Sequence, residues 1–132
     1  VTVVAWIKVN KSDKDWQALL TKGGGIEFER SGTRLVNTMG TMDVNDGKWH
    51  HIAMVGDGTK LYLYMDGKLD NEVLWPHATT TGEFPVLIGE NAAETGHYWN
   101  GLIDDVRLYS YALSEAEIRA LHAGDEPHTT EK

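Results

Sequence analysis

The segment from Asp46 to Gly67, DGKWHHIAMVGDGTKLYLYMDG, leaves a chain like this few ways to fold. Asp-Gly pairs at Asp46-Gly47, Asp57-Gly58 and Asp66-Gly67 supply turn residues that tolerate positive φ, and the runs between them are β-branched and aromatic. The pattern predicts successive antiparallel strands joined by tight hairpins. Alternation then sorts the side chains. Leu61, Leu63 and Met65 fall on one face of their strand and Tyr62 and Tyr64 on the other, so the strand is expected to be central and covered on both sides. By the same parity His51 sides with Trp49, Ala53 and Val55, as a packed histidine with a hydrogen-bond partner, while His50 aligns with Ile52 and Met54. Adjacent strand residues point to opposite faces, so this His-His pair does not converge on a metal.

The rest of the chain repeats the theme. VTVVAWIKV reads as a buried strand ending at the polar NKSDKD turn, and WQALLTKGG, GIEFER and TRLVNT follow as short runs bounded by Gly, Ser or Asp. KLDNEVLW, PVLIGE and GLIDDVRLY are further strand-like runs. Only near the end does the period change. Ser114, followed by Glu115 and Glu117 with Ile118 and Leu121 on one face, predicts a capped short helix. Many short strands and one helix too short to cover a sheet argue for an all-β, two-sheet antiparallel jelly-roll sandwich with a short C-terminal helix. With 132 residues, one domain over 1–124 is expected, followed by a tail or linker at 125–132 that has almost nothing apolar to bury.

Twelve Lys plus Arg against 20 Asp plus Glu give a formal charge of -8, which repels a phosphate backbone and an anionic bilayer alike. Nucleic acid and membrane insertion are therefore excluded as partners; no apolar run approaches the ~18 residues of a membrane span. Without cysteine there is neither a disulfide framework nor a thiolate metal site.

DGKWHHIAMVGDGTKLYLYMDGK, followed by LIGENAAETGHYWNGLIDDVRLYSYALSEAEIRALH, resembles the laminin-G-like jelly roll within the concanavalin A-like lectin/glucanase group. With VTVVAWIKV these landmarks span almost the whole chain in the family's order. The resemblance implies two packed antiparallel sheets, one concave, with rim loops open to ligands. It implies little about function, because the fold hosts lectins, adhesion modules, sugar-binding appendages and enzymes. It also implies a structural calcium at Asp104 in LIDDVRLY, held by a carboxylate with backbone carbonyls; the alternative is that Asp104 hydrogen-bonds loop backbone or ends the pairing at a bulge. DVNDG, Asp43 to Gly47, has the look of a calcium loop but lacks the downstream glutamate and reads as a turn. Members of the family usually carry one more strand ahead of the position of Val1. Its absence here implies an unpaired sheet edge beside LIDDVRLY that a β-strand peptide, a neighbouring copy or a further segment would complete.

Catalysis finds no support in the motifs. The E-x-D-x-x-E strand of the related glucanases is absent; Glu27 and Glu29 share a strand face but have no third carboxylate. The His and Tyr strand of the lyases is absent too, and no G-x-S-x-G turn supports a serine nucleophile. A sugar ligand would call for an exposed ring to stack on the pyranose and amide or carboxylate groups for its hydroxyls. Trp6, Trp49 and Trp99 fall in strand or family-core positions. Trp16, Trp75 with His77, and Glu90, Asn91, His97 and Tyr98 in the GENAAETGHYW loop are the ligand-binding candidates. The expectation is a non-catalytic extracellular recognition module of a larger secreted protein, binding a glycan or an extracellular protein in carbohydrate recognition or adhesion. The alternatives are half of a split domain, or a degenerate glycoside hydrolase or polysaccharide lyase.

Overall fold

A computed structural model describes residues 1–9, 16–22, 26–31, 34–35, 44–74, 86–89 and 99–124. Among the described residues, nine strands and one helix run in the order β1 (Thr2–Val9), β2 (Trp16–Lys22), β3 (Ile26–Ser31), β4 (Arg34–Leu35), β5 (His50–Gly56), β6 (Lys60–Met65), β7 (Lys68–Leu74), β8 (Val86–Ile88), β9 (Gly101–Tyr109) and α1 (Glu115–His122). They build a five-stranded sheet, β7-β6-β5-β1-β9, and a four-stranded sheet, β4-β3-β2-β8, with antiparallel pairing throughout.

The two expected hairpins are present. Asp57 opens the first, its Oδ1 accepting the N–H groups of Thr59 and Lys60 while Gly58 takes φ +92°. Asp66 (φ +52°) and Gly67 (φ +81°) close the second. Parity works as read from the sequence. Val3, Ala5, Ile7 and Val9 of β1, Ile52 and Met54 of β5, and Leu63 and Met65 of β6 pack with Leu19, Leu20 and Val44 between the sheets. Burying side chains of this size contributes about 1.5–3 kcal/mol each.

The opposite face of the five-stranded sheet is covered as well. Val4, Ala53, Val55 and Tyr64 pack there against Leu113 and Ile118, with Tyr62, Tyr109 and Leu121 at the margin. The helix judged too short to cover a sheet does cover the middle of this one, because Ile118 and Leu121 drop onto a patch of small residues. Its start follows from the sequence: Ser114 Oγ accepts the Glu117 N–H and the Glu117 carboxylate accepts the Ser114 N–H, a reciprocal capping box.

Trp6 is buried, as read from the sequence, and lies under α1 on the outer face of the sheet, opposite His51. Two other ring placements differ from the sequence reading. Trp49, ahead of β5, is only half-buried. His51 is buried as expected, but among the described residues its Nδ1 has no hydrogen-bond partner. At the far edge, β9 is hydrogen-bonded only to β1 among the described residues. A bulge interrupts that pairing between Val4 and Trp6, with Asp105 at φ +49°.

Candidate functional site

The register of the five-stranded sheet fixes where the loops leave it. Leu74, the last residue of β7, pairs with Lys60 beside the Asp57 turn, whereas Gly101, the first residue of β9, pairs with Val9. These are opposite ends of the sheet, separated by the length of an eight-residue strand, roughly 23 Å at 3.3 Å per residue. Trp75 and His77 follow Leu74 and lie outside the described residues, as do Glu90, Asn91, His97 and Tyr98. The two groups of candidates therefore depart from opposite ends of the sandwich.

The second group has a defined base. Gly89 N–H donates to Leu19 O at 2.7 Å, and Trp99 N–H donates to Gly89 O at 3.0 Å. Both stems of the 90–98 segment are thus pinned to each other and to β2, the strand that Trp16 opens. Gly89 itself takes φ +80°, the left-handed region that a glycine occupies at no steric cost. Trp99 packs against the core between the sheets, so the segment returns to a fixed anchor.

Near that same end lies a charged cluster that sequence reasoning missed. His50, only 7% exposed, is held between two carboxylates: Nδ1 is 2.9 Å from Asp66 Oδ2, and Nε2 is 2.9 Å from both oxygens of Asp46. The bond to Asp66, against the opposing effect of burial and with help from Asp46, pushes the imidazole up to about 9. Both ring nitrogens then donate, and His50 ties the turn before β5 to the hairpin after β6. Burial works to raise the Asp66 carboxyl, yet bonds from His50 and from the His51 N–H outweigh it and hold the group below its usual range. The signal was in the sequence as an Asp four residues before His50 and another in the hairpin turn across from it.

On the outer face the neighbouring His51 has the opposite character. Its ring meets Trp6 edge-on at 5.1 Å and His122 at 5.9 Å. Burial first, and the nearby His122 second, push it down to about 4. The pair resolves the ambiguity of the HH motif: one charged clamp and one neutral packing ring, on opposite faces.

Asp104 is exposed, and its Oδ1 accepts the N–H of Asp105, 2.8 Å away, at the β9 bulge. Both oxygens of Asp105 are taken by Arg107, at 2.9 and 3.0 Å. No group of three or more His, Cys, Asp or Glu that could hold a metal occurs among the described residues.

These features define a two-sheet antiparallel sandwich with a helix on one outer face. The chain belongs to the concanavalin A-like lectin/glucanases superfamily, whose family model matches residues 1–119. A mouse protein, "Sushi, von Willebrand factor type A, EGF and pentraxin domain-containing protein 1", is 28% identical over 121 residues, 84% of this chain; the chain spans 3% of that relative's length. Among solved structures, a candidate carbohydrate binding protein from Bacteroides ovatus superposes with a TM-score of 0.75 at 18% identity, over 89% of this chain and 39% of the other. The CBM40 of the Ruminococcus gnavus IT-sialidase, bound to α2,3-sialyllactose, gives 0.67 at 19% identity, over 92% of this chain and 81% of the other. At these identities the structural likeness establishes the fold.

Proposed function

We propose that this chain is a non-catalytic carbohydrate-binding module of an extracellular protein. The observation that carries the reading is the pinned base of the 90–98 segment on β2, through Gly89, Leu19 and Trp99. Gly89 and Trp99 flank the segment that carries Glu90, Asn91, His97 and Tyr98 in the sequence, and Gly89 is bonded to the strand that begins with Trp16. Ring and amide or carboxylate groups are the chemistry a pyranose requires, and a preorganised support reduces the ordering cost of binding. The neighbours named for carbohydrate binding favour the same reading. The absence of turnover rests on charge pairing: Asp46 and Asp66 are engaged by His50, and Asp105 by Arg107, so none of these is a carboxylate poised as acid or nucleophile.

A glycan array run with calcium and with chelator tests the reading. Retention of defined glycans is expected, with Tyr98→Ala and Trp16→Ala each weakening it roughly tenfold, the order of one stacking contact, at unchanged melting temperature. Retention that survives both substitutions would remove this site, and retention lost with chelator would support a calcium role. Turnover of a bound glycan would instead favour the hydrolase or lyase alternative.

A second reading, that a β-strand from a partner completes the sheet, is favoured by Leu108. It pairs with Val3 on the inner face yet remains 51% exposed at the β9 edge. The Asp105 bulge and the charges of Asp104, Asp105 and Arg107 oppose such pairing in the middle of the strand. Amide exchange decides it: strand completion requires Leu108 and Tyr109 amides to exchange much faster than those of Ile52 to Val55, and to slow when the partner is added. A β9 as protected as β5 in the isolated chain would exclude it.

A further inference from the structure

His51 presents a problem that the glycan reading does not use. His51 is 3% exposed, and its Nδ1 is buried with no hydrogen-bond partner among the described residues, so a proton taken up there finds no acceptor among them. Among the described residues, the carboxylates that act on it each hold another donor. On the β6–β7 turn, Asp66 Oδ1 accepts the His51 backbone N–H and Oδ2 holds His50. On β9, both oxygens of Asp105 hold Arg107, and Asp104 Oδ1 holds the Asp105 N–H. The remaining neighbours are neutral or cationic: Trp6 on β1, with Lys8 two residues further on the same face, Arg107 on β9, and His122 at the end of α1. Ala53 is the adjacent residue on its own face of β5.

His122 is the cover. It stacks on Trp6 with centroids 5.8 Å apart and planes at 30°, and it leans against the hairpin turn, where a Cβ on Gly67 would come within 2.9 Å of its Nδ1. Beneath His51 and Trp6, β5 and β1 are interior strands hydrogen-bonded on both sides. Above them, α1 has eight residues and a single fully buried side chain, Ile118. Strain at His51 is therefore relieved most cheaply by moving the helix end, since opening the sheet would break two ladders.

We propose that the last turn of α1 is an acid-released latch: when His51 takes up a proton, His122 leaves Trp6 and the Arg119–Gly124 turn detaches from the sheet. The detached state exposes an indole and two imidazoles beside the Asp66-Gly67 turn. At neutral pH the turn is closed.

Hydrogen exchange of the intact chain, corrected for the intrinsic pH dependence of exchange, tests the latch. Between about pH 7.5 and 4.5, protection of Arg119 to Gly124 should fall roughly fiftyfold to hundredfold, as linkage requires for a ring that is protonated readily only when open. Protection of Ile52 to Val55 should stay constant. His51→Leu should make α1 protection independent of pH over this range, and His51→Gln provides a second neutral side chain should leucine prevent folding. Proton uptake by the His51 ring, followed by NMR in the unaltered chain, should coincide with opening. Constant α1 protection, opening that persists in the neutral variants, simultaneous loss of protection in β5, or titration of His51 with α1 still closed would each overturn the proposal.

Discussion

Replacing His50 with leucine should cost the fold about 1.5 to 3 kcal/mol near pH 6.5, the range for hydrogen bonds to charged groups, because Asp46 and Asp66 remain 37% and 33% exposed and water screens them once the ring is gone. Two carboxylates would be left facing a hydrocarbon where an imidazolium had bonded both. The pH dependence gives a sharper reading than the size of the loss. The folded-state value of His50 is raised from 6.5 to about 9, so its stabilisation is fully present below pH 6.5 and is lost as pH rises toward 9. His51 is lowered from 6.5 to about 4, so its contribution is fully present above pH 6.5 and is lost as pH falls toward 4. The two adjacent histidines together give a stability maximum near pH 6.5, with each limb sloping by up to about 1.4 kcal/mol per pH unit. Urea midpoints from pH 5 to 9.5 measure both limbs. His50→Leu should flatten the alkaline limb and keep the acid one. An alkaline limb that persists in that variant would show that the clamp is not the source of the dependence.

Local signals carried most of the fold. Asp-Gly turns and period-two alternation located β5 and β6 with their faces and β7 as a strand, and the serine-to-glutamate spacing located the start of α1, because each of these is decided within a few residues. What was not legible is nonlocal. Nothing near Trp6 announces that a helix more than a hundred residues later will lie over it, so its burial was legible but the element that covers it was not. His51 and His122 are also far apart in the sequence, on β5 and at the end of α1. Asp105 adopts a left-handed backbone without a glycine to mark it, so the bulge was visible only as one alternative for Asp104. Which end of the sheet each loop leaves from is nonlocal too: the register sends Leu74 and Gly101 to opposite ends.

Thr2→Val should cost about 2 to 4 kcal/mol despite preserving the side chain's shape. Thr2 is completely buried, its Oγ1 donating to Tyr111 O at 2.8 Å and accepting the Leu113 N–H at 3.0 Å. Those two backbone groups sit immediately before Ser114, so one hydroxyl fastens the approach to α1 onto β1. Valine fills the same space and satisfies neither group. A buried N–H left without an acceptor costs about 1–3 kcal/mol, and the carbonyl adds to it. Thr2→Ser keeps both bonds and loses only a methyl group, for about 1 kcal/mol. The pair of variants thus separates hydrogen bonding from packing, and denaturant unfolding of each measures the difference. Equal losses for valine and serine would show that the hydroxyl is not what holds the helix. A valine loss well above the serine loss, with α1 amides exchanging faster than in Thr2→Ser, would place the cost at this junction.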